Sequence, residues 1–315
     1  MIPKPPPREP SLGFLYIPPY RVQGISIAGE ATSVMVPELD ICFDVGVCPR
    51  AMLATKYMAI SHGHMDHIGS LAYYCSQRRF QGMGDATIVC DPRIAPAIRG
   101  MMNGFVDLER QKTPFELIEL EPDKGQLEIK NNMFLQSFAT DHNCPSVGYS
   151  IVEHRSKLKP EYTDLPQEKL TELKQRGIDI TRVLQIPLVA YIGDTLPGPH
   201  LLRDDVRKAK IIITECTFFE KEHRSRAKAG QHMHVDDIAE WLRVCECEAM
   251  VISHVSRRTH LGFARDTLAK LVGQQLVEKV HFLMDSRTNR ARYEKQVEKA
   301  EAEERQRNKM AAGAR

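Results

Sequence analysis

The chain has 315 residues, 42% of them hydrophobic, which is enough for a sizeable core and suits a soluble globular protein. No run approaches the roughly 20 apolar residues of a membrane span. Its 43 basic and 41 acidic residues give a formal net charge of +2, which neither demands nor excludes a nucleic-acid partner, because local patches outweigh the total.

In chain order, the amino terminus, Met1-Ile-Pro-Lys-Pro-Pro-Pro-Arg-Glu-Pro10, lacks the apolar core of a secretory leader. Residues 1–19 are expected to form a stiff, proline-rich tail. From Tyr20, apolar runs alternate with turn signals. Residues 22–28, 33–36, 39–43, 57–60, 86–89, 117–120 and 133–138 read as strands, and 68–79 and 92–104 as helices. A second strand set covers 183–192, 211–214, 250–253 and 279–283, with helices at 204–208, 235–245 and 265–272. Strands interleaved with helices in two halves predict a mixed α/β sandwich over residues 20–290. Between the halves lies a polar excursion, residues 153–182, with an exposed helix expected at 167–176. Long excursions on compact domains are often functional, so this arm is read as a substrate-binding appendage. Residues 291–315 are charge-rich and read as a frayed helix or a disordered extension.

Eight cysteines form no Cys-x-x-Cys pair, and Cys42, Cys90 and Cys216 sit inside apolar runs. The pattern suits a reducing cytoplasm rather than a disulfide framework. Cys144, beside a candidate ligand, reads as a packing thiol, with a reactive thiol as the alternative.

The chemistry concentrates after the 57–60 strand, in His62-Gly-His-Met-Asp-His67. In a near-extended loop the rings of His62 and His64 leave the same side, and the side chains of Asp66 and His67 diverge from them. One loop can therefore offer two ligands to one cation and two to a second. Imidazole and carboxylate are donors that zinc accepts, with manganese or iron as weaker alternatives. Other strands also stop at an ionisable residue: Asp44, Asp194, Glu215 and His254. Ligand sites in α/β sheets gather outside the carboxyl ends of strands, so these groups are expected to crowd one cleft. Asp44 is a candidate hydrogen-bonding partner for a ligand histidine. His234 is left outside the site, and His154, His200, His223, His260 and His281 are given surface positions.

His62-Gly-His-Met-Asp-His67, followed by His142, Asp194 and His254, resembles the metallo-β-lactamase superfamily. Within it, the resemblance is to ribonuclease Z, the tRNA 3′-processing endoribonucleases, in their short, plant-like form. Thr140-Asp-His-Asn-Cys-Pro-Ser-Val-Gly-Tyr149, Tyr191-Ile-Gly-Asp-Thr195 and Ile252-Ser-His-Val-Ser-Arg-Arg258 resemble that family's later motifs. Thr214-Glu-Cys-Thr-Phe218 and Gln231-His-Met-His-Val235 are similar to the two that set it apart. Tyr20-Arg-Val-Gln-Gly-Ile-Ser-Ile27 and Phe43-Asp-Val-Gly-Val-Cys-Pro49 carry the plant-like character.

The resemblance implies a four-layer αββα sandwich with two zinc ions per subunit at its rim. His62, His64 and His142 would hold one, Asp66, His67 and His254 the other, and Asp194 would bridge. Glu215 and His232 match the family's auxiliary catalytic pair, and Arg258 its post-motif arginine, a phosphate anchor. The implied activity is removal of the 3′ trailer of precursor tRNA by a homodimer, in the cytoplasm that the cysteines suggest. Two zinc ions about 4 Å apart can share a water and acidify it, giving a hydroxide that attacks phosphorus. Asp66 would orient that nucleophile, and His232 would protonate the leaving 3′-oxygen. The alternative is another hydrolase on this scaffold, acting on a small phosphodiester or a glyoxalase-II-like thioester. A di-iron oxygen reductase is disfavoured by His64, where those proteins usually carry glutamate. A catalytically dead RNA-binding module is disfavoured by the complete ligand set. Two departures bear on tRNA binding: the arm lacks the family's glycine- and proline-containing tip, and Gly29-Glu-Ala-Thr32 lacks the usual basic and asparagine residues.

Overall fold

Consecutive apolar residues form a strand readily where both faces of the sheet are covered. The stretch Ile211–Glu215 meets that condition: Ile211 and Ile213 pack into a core between two sheets, and Ile212 packs into a second core on the opposite face. The same rule organises the chain, of which a computed structural model describes residues 3–9 and 11–313, with side-chain surroundings to residue 310.

One sheet holds, in spatial order, β1 (Gly13–Ile17), β2 (Tyr20–Ile27), β3 (Ala31–Val36), β4 (Ile41–Phe43), β5 (Tyr57–Ala59), β6 (Ala86–Cys90) and β7 (Phe115–Glu119). The other holds β8 (Gln126–Lys130), β9 (Met133–Ala139), β10 (Val147–Leu158), β11 (Thr181–Tyr191), β12 (Ile211–Glu215), β13 (Ala249–Ser253) and β14 (Val280–Phe282). Each sheet is antiparallel through its first four strands and parallel through its last four, so the two halves share one topology.

Three apolar clusters define the layers. Val34, Phe43, Val89, Tyr149, Val189 and Ile213 lie between the sheets. α1 (Met65–Ile68), α2 (Leu71–Phe80) and α3 (Ala95–Glu109) cover the first sheet through Leu71, Tyr74, Ile98 and Met102. The arm carries α4 (Gln167–Gln175). The second sheet is flanked by α5 (Asp204–Arg207), α6 (Arg224–Gly230), α7 (Val235–Leu242), α8 (Leu261–Val272) and α9 (Gln274–Val277), with Ile238, Trp241 and Leu268 buried against it. The result is the αββα sandwich that the resemblance implied.

The chain ends differ from the sequence reading. Gly13–Ile17, placed in the tail, is an edge strand whose Leu15 and Ile17 enter the inter-sheet core. Its five-residue apolar run is hidden between proline-rich segments. The domain therefore begins before residue 20, while residues 1, 2 and 10 of the tail lie outside the described residues. At the other end, residues 291–313 continue α10 (Ser286–Gly313), and residues 314 and 315 lie outside the described residues. This helix is docked: Arg292 Nη1 and Gln296 Nε2 donate to the Tyr16 carbonyl at 3.2 Å each, and Tyr293 meets Phe14 edge-on at 5.4 Å. The boundary at residue 290 thus falls inside a helix. The helix expected at 68–79 is α2, which starts at Leu71, and a separate single turn, α1, precedes it across Gly69 and Ser70.

Residues 153–182 form a ribbon. β10 and β11 stay paired out to Leu158 and Thr181, and α4 closes the tip over buried Leu170 and Ile180.

Candidate metal centre

The carboxyl ends of the parallel strands deliver the site. β4 runs into Asp44, β5 into Ser61 and His62, β11 into Asp194 and β13 into His254, while β12 ends on Glu215. The single turn of α1 presents Asp66 and His67. His142 lies in the turn between β9 and β10. Gly193 adopts φ of 68°, and a Cβ there would stand 3.0 Å from the Ser61 side chain, so glycine is what lets Asp194 approach the first sheet.

The donor atoms converge. His62 Nε2 is 3.0 Å from His64 Nδ1, which is 3.3 Å from His142 Nε2. Asp194 Oδ2 lies 3.2 Å from His67 Nε2, 3.3 Å from His254 Nε2 and 4.0 Å from His62 Nε2. Asp66 Oδ2 lies 3.3 Å from His254 Nε2 and 3.7 Å from His67 Nε2. Four overlapping sets of donors lie within 4.8 Å of one another: His62, His64, His142 and Cys144; His62, His67 and Asp194; Asp66, His67 and His254; Asp194, His232 and His254.

Hydrogen bonds aim these rings. His67 Nδ1 donates to Asp44 (2.8 Å) and His142 Nδ1 to the Gln231 carbonyl (3.0 Å). The Ser61 hydroxyl donates to Asp44 (2.7 Å) and so accepts from His62 Nδ1 (2.9 Å). The Thr217 hydroxyl donates to Glu215 (2.7 Å) and accepts from His254 Nδ1 (2.9 Å). Each of the four rings therefore turns an Nε2 lone pair inward. His64 Nδ1 lies 3.0 and 3.3 Å from two of these inward nitrogens, a spacing that a shared cation would satisfy. Buried His67 Nε2 has no hydrogen-bond partner, as expected of a ligand atom. The residues present fit divalent cations.

The charges agree. Burial works against a cationic His67, but the Asp194 and Asp44 carboxylates outweigh it and raise its pKa well above the ordinary value. A positive charge, proton or metal, belongs at that ring. Burial would neutralise Asp194, yet His254 and His67 hold its carboxyl well below the usual range. Burial and the neighbouring His67 push His62 down to about 2, so it is a neutral donor. Asp66 is held low by His254 and His67 against its own burial.

His232 Nδ1 donates to Glu215 Oε1 at 2.9 Å, and its ring stacks on His254 with centroids 5.2 Å apart. Burial lowers its pKa, but Glu215 more than compensates and lifts it to about 9. Glu215 is fixed by the Thr195 amide (3.0 Å) and the Thr217 hydroxyl.

Asp44 takes the supporting position expected of it. Sequence reasoning missed its partners Ser61 and Tyr191, and it missed Thr195, Thr217 and the Gly29 amide, which donates to Asp66 Oδ2 at 3.0 Å. Common residues inside apolar runs or turns carry no local signal for such roles. Arg258 is not drawn into the cluster: it is exposed, and its guanidinium makes no hydrogen bond among the described residues. His234 stays outside, capping α7 through the Asp236 amide. His154, His200, His223 and His281 are half-buried, contrary to their expected surface positions, and only His260 of the five is exposed.

Residues 49–255 match the family model described as the beta-lactamase superfamily domain, a span that includes every donor from His62 to His254. The protein named tRNase Z TRZ2, chloroplastic, of Arabidopsis thaliana is 32% identical over 256 residues, covering 80% of this chain and 72% of the relative. tRNase Z TRZ1 of the same plant is 30% identical over 258 residues, covering 80% and 91%. The chain belongs to the ribonuclease Z family. The human short-form tRNase Z, ELAC1, superposes with a TM-score of 0.54 at 17% identity, covering 86% of this chain and 95% of that one, and so shares the fold. Ribonuclease Z membership, with plant relatives at these identities, agrees with the motifs in residues 20–27 and 43–49.

Proposed function

We propose that this chain is a zinc-dependent endoribonuclease that removes the 3′ trailer of precursor tRNA. The observation that carries the reading is the Glu215–His232 pair beside the ligand cluster. A ribose 3′-oxygen leaving from phosphorus needs a proton, whereas a leaving thiolate does not.

His62, His64 and His142 would hold one cation and Asp66, His67 and His254 the other, with Asp194 between them. Two such ions, when bound, supply Lewis acidity and an acidified water. Asp66, fixed by the Gly29 amide, orients the water. His232 turns Nδ1 to Glu215 and carries its other proton at Nε2, for transfer to the leaving oxygen. A cavity of about 500 Å³ opens beside His232, lined by Asp141, Pro197, Arg224 and Lys228, and gives room for a nucleotide. Arg258 anchors a backbone phosphate, and the arm at 153–182 grips the body of the tRNA.

Nitrogen and carboxylate donors favour zinc over manganese or iron. The family resemblance supports a homodimer and the pattern of free cysteines a cytoplasmic location, while one relative is named as chloroplastic. Among the described residues no helix is long and apolar enough to cross a membrane. One observation favours the second reading, a hydrolase of small phosphodiesters or thioesters: the rim loop carries Glu30, ion-paired to Arg257, in place of cationic residues.

The test is cleavage of a 3′-extended precursor tRNA by the native protein and by His64→Ala. The expected result is a cut just past the discriminator base, lost in the variant. Turnover of a thioester or small phosphodiester alone would establish the second reading.

A further inference from the structure

Phe218 stands beside the Glu215–His232 pair without contributing a donor atom. β12 is followed by Cys216-Thr217-Phe218-Phe219, and the two phenylalanines part company. Phe219 is 2% exposed and packs 5.9 Å from Phe282 in the core. Phe218 stays half-buried, its ring centroid 6.3 Å from that of His232 and 6.0 Å from that of His223. Its backbone is held: Phe218 pairs with His234, and its carbonyl accepts from the Val235 amide at 2.9 Å. With His254 stacked on His232 at 5.2 Å, four rings run outward in a row from the ligand cluster. At the far end Arg226 Nη1 donates to His223 Nε2 at 3.3 Å, and His223 Nδ1 donates to Glu220 at 3.0 Å. An aromatic platform beside a cationic group is how single-stranded nucleic acid is held without its sequence being read.

We propose that Phe218 is the stacking platform for the base of the nucleotide whose 3′-oxygen leaves. The proposal rests on the endoribonuclease reading above. His232 delivers a proton to that oxygen, and one ribose carries both the oxygen and the base. The base must therefore come to rest within one nucleotide of His232. Among the described residues, the rings next to His232 are those of His142, His254 and Phe218. The two histidines belong to the proposed ligand set, which leaves Phe218 to meet a base. Stacking uses the π-face that every base has, so this platform accepts any base at that position. The cavity of about 500 Å³ beside His232 is walled without Phe218 and remains for the nucleotide across the cut.

The experiment is a double-mutant cycle on cleavage of 3′-extended precursor tRNA by the full-length, zinc-loaded protein. It pairs Phe218→Ala with an abasic nucleotide placed just 5′ of the cut. Each change alone should lower kcat/KM roughly 10- to 100-fold, and the two together little further, because both remove the same stack. The loss should be similar whichever base is removed, and Phe218→Trp should retain activity. An abasic nucleotide just 3′ of the cut should instead combine additively with Phe218→Ala. Should Phe218→Ala not fold, Phe218→Leu, which keeps apolar bulk and loses the aromatic face, takes its place in the cycle. Additive losses at the 5′ position, or an abasic nucleotide there that costs the wild type nothing, would overturn the proposal and leave the endoribonuclease reading standing. No cleavage of the intact precursor would overturn both.

Discussion

His67 Nδ1 lies 2.8 Å from Asp44 Oδ2, and neither side chain has any exposed surface. Asp44 also accepts from the Ser61 amide and hydroxyl at 2.7 Å each and from the Tyr191 hydroxyl at 2.6 Å. One carboxylate therefore sets the rings of His67 directly and His62 through Ser61. Asp44→Ala should weaken metal affinity about 10–100-fold, read by competition with a chelator. It should also lower the stability of the metal-free protein, since each stranded donor costs about 1–3 kcal/mol. Unchanged affinity would deny Asp44 its orienting role.

His232→Ala should reduce kcat on precursor tRNA about 10²–10⁴-fold at unchanged metal content. Glu215→Gln preserves shape but removes the charge that lifts His232 to about 9. The acid form of His232 is lost as pH rises through its pKa. The alkaline limb of the kcat profile should therefore move to lower pH in that variant. A limb that stays in place assigns the proton to another group.

Under the proposed assignment the two cation positions draw on separate histidines and share Asp194. His64→Ala should halve the bound zinc measured by elemental analysis, because Asp66, His67 and His254 remain intact. His67→Ala should do the same at the second position. Complete loss of zinc from either variant would mean that the positions fill only together.

Replacing residues 157–182 with Asn-Gly joins Ser156 to Val183, which are register partners, through a tight hairpin turn. Hydrolysis of a small phosphodiester should be unchanged. Affinity for precursor tRNA should fall roughly tenfold or more, with a flatter dependence on salt. Equal affinity would make the ribbon structural rather than a grip.

Burial, aided by Arg292 and Arg265, holds His281 down to about 3. Its folded pKa lies below the ordinary value of 6.5, so the neutral ring contributes stability that is fully present above pH 6.5. That contribution fades as pH falls from there towards 3. Thermal unfolding of His281→Gln should show a shallower loss over this window than the wild type. Parallel curves would place the acid sensitivity elsewhere.

Strands with two covered faces were legible where burial writes itself as an unbroken apolar run, as in Ile211–Glu215, but β10 was not, because its buried stretch Val147–Val152 is broken by Gly148 and Ser150. β8 escaped notice because it is an outer strand whose residues alternate with solvent, leaving only Ile129 buried. β1 escaped because its neighbours are prolines, and what covers it arrives from α10 at the far end of the chain. The candidate ligands could be read because ionisable residues rarely stop apolar strands without cause. The hydroxyls of Tyr191, Ser61 and Thr217 could not, since their roles exist only once distant strands are side by side.

The matched topology of the two sheets has a mechanical corollary. His62, His64, Asp66 and His67 issue from one half, and His142, Asp194 and His254 from the other. An ion seated among them would rivet the two halves at their rim, so catalysis and cohesion would be purchased by the same bond. Starving the protein of metal should loosen that seam before any strand melts.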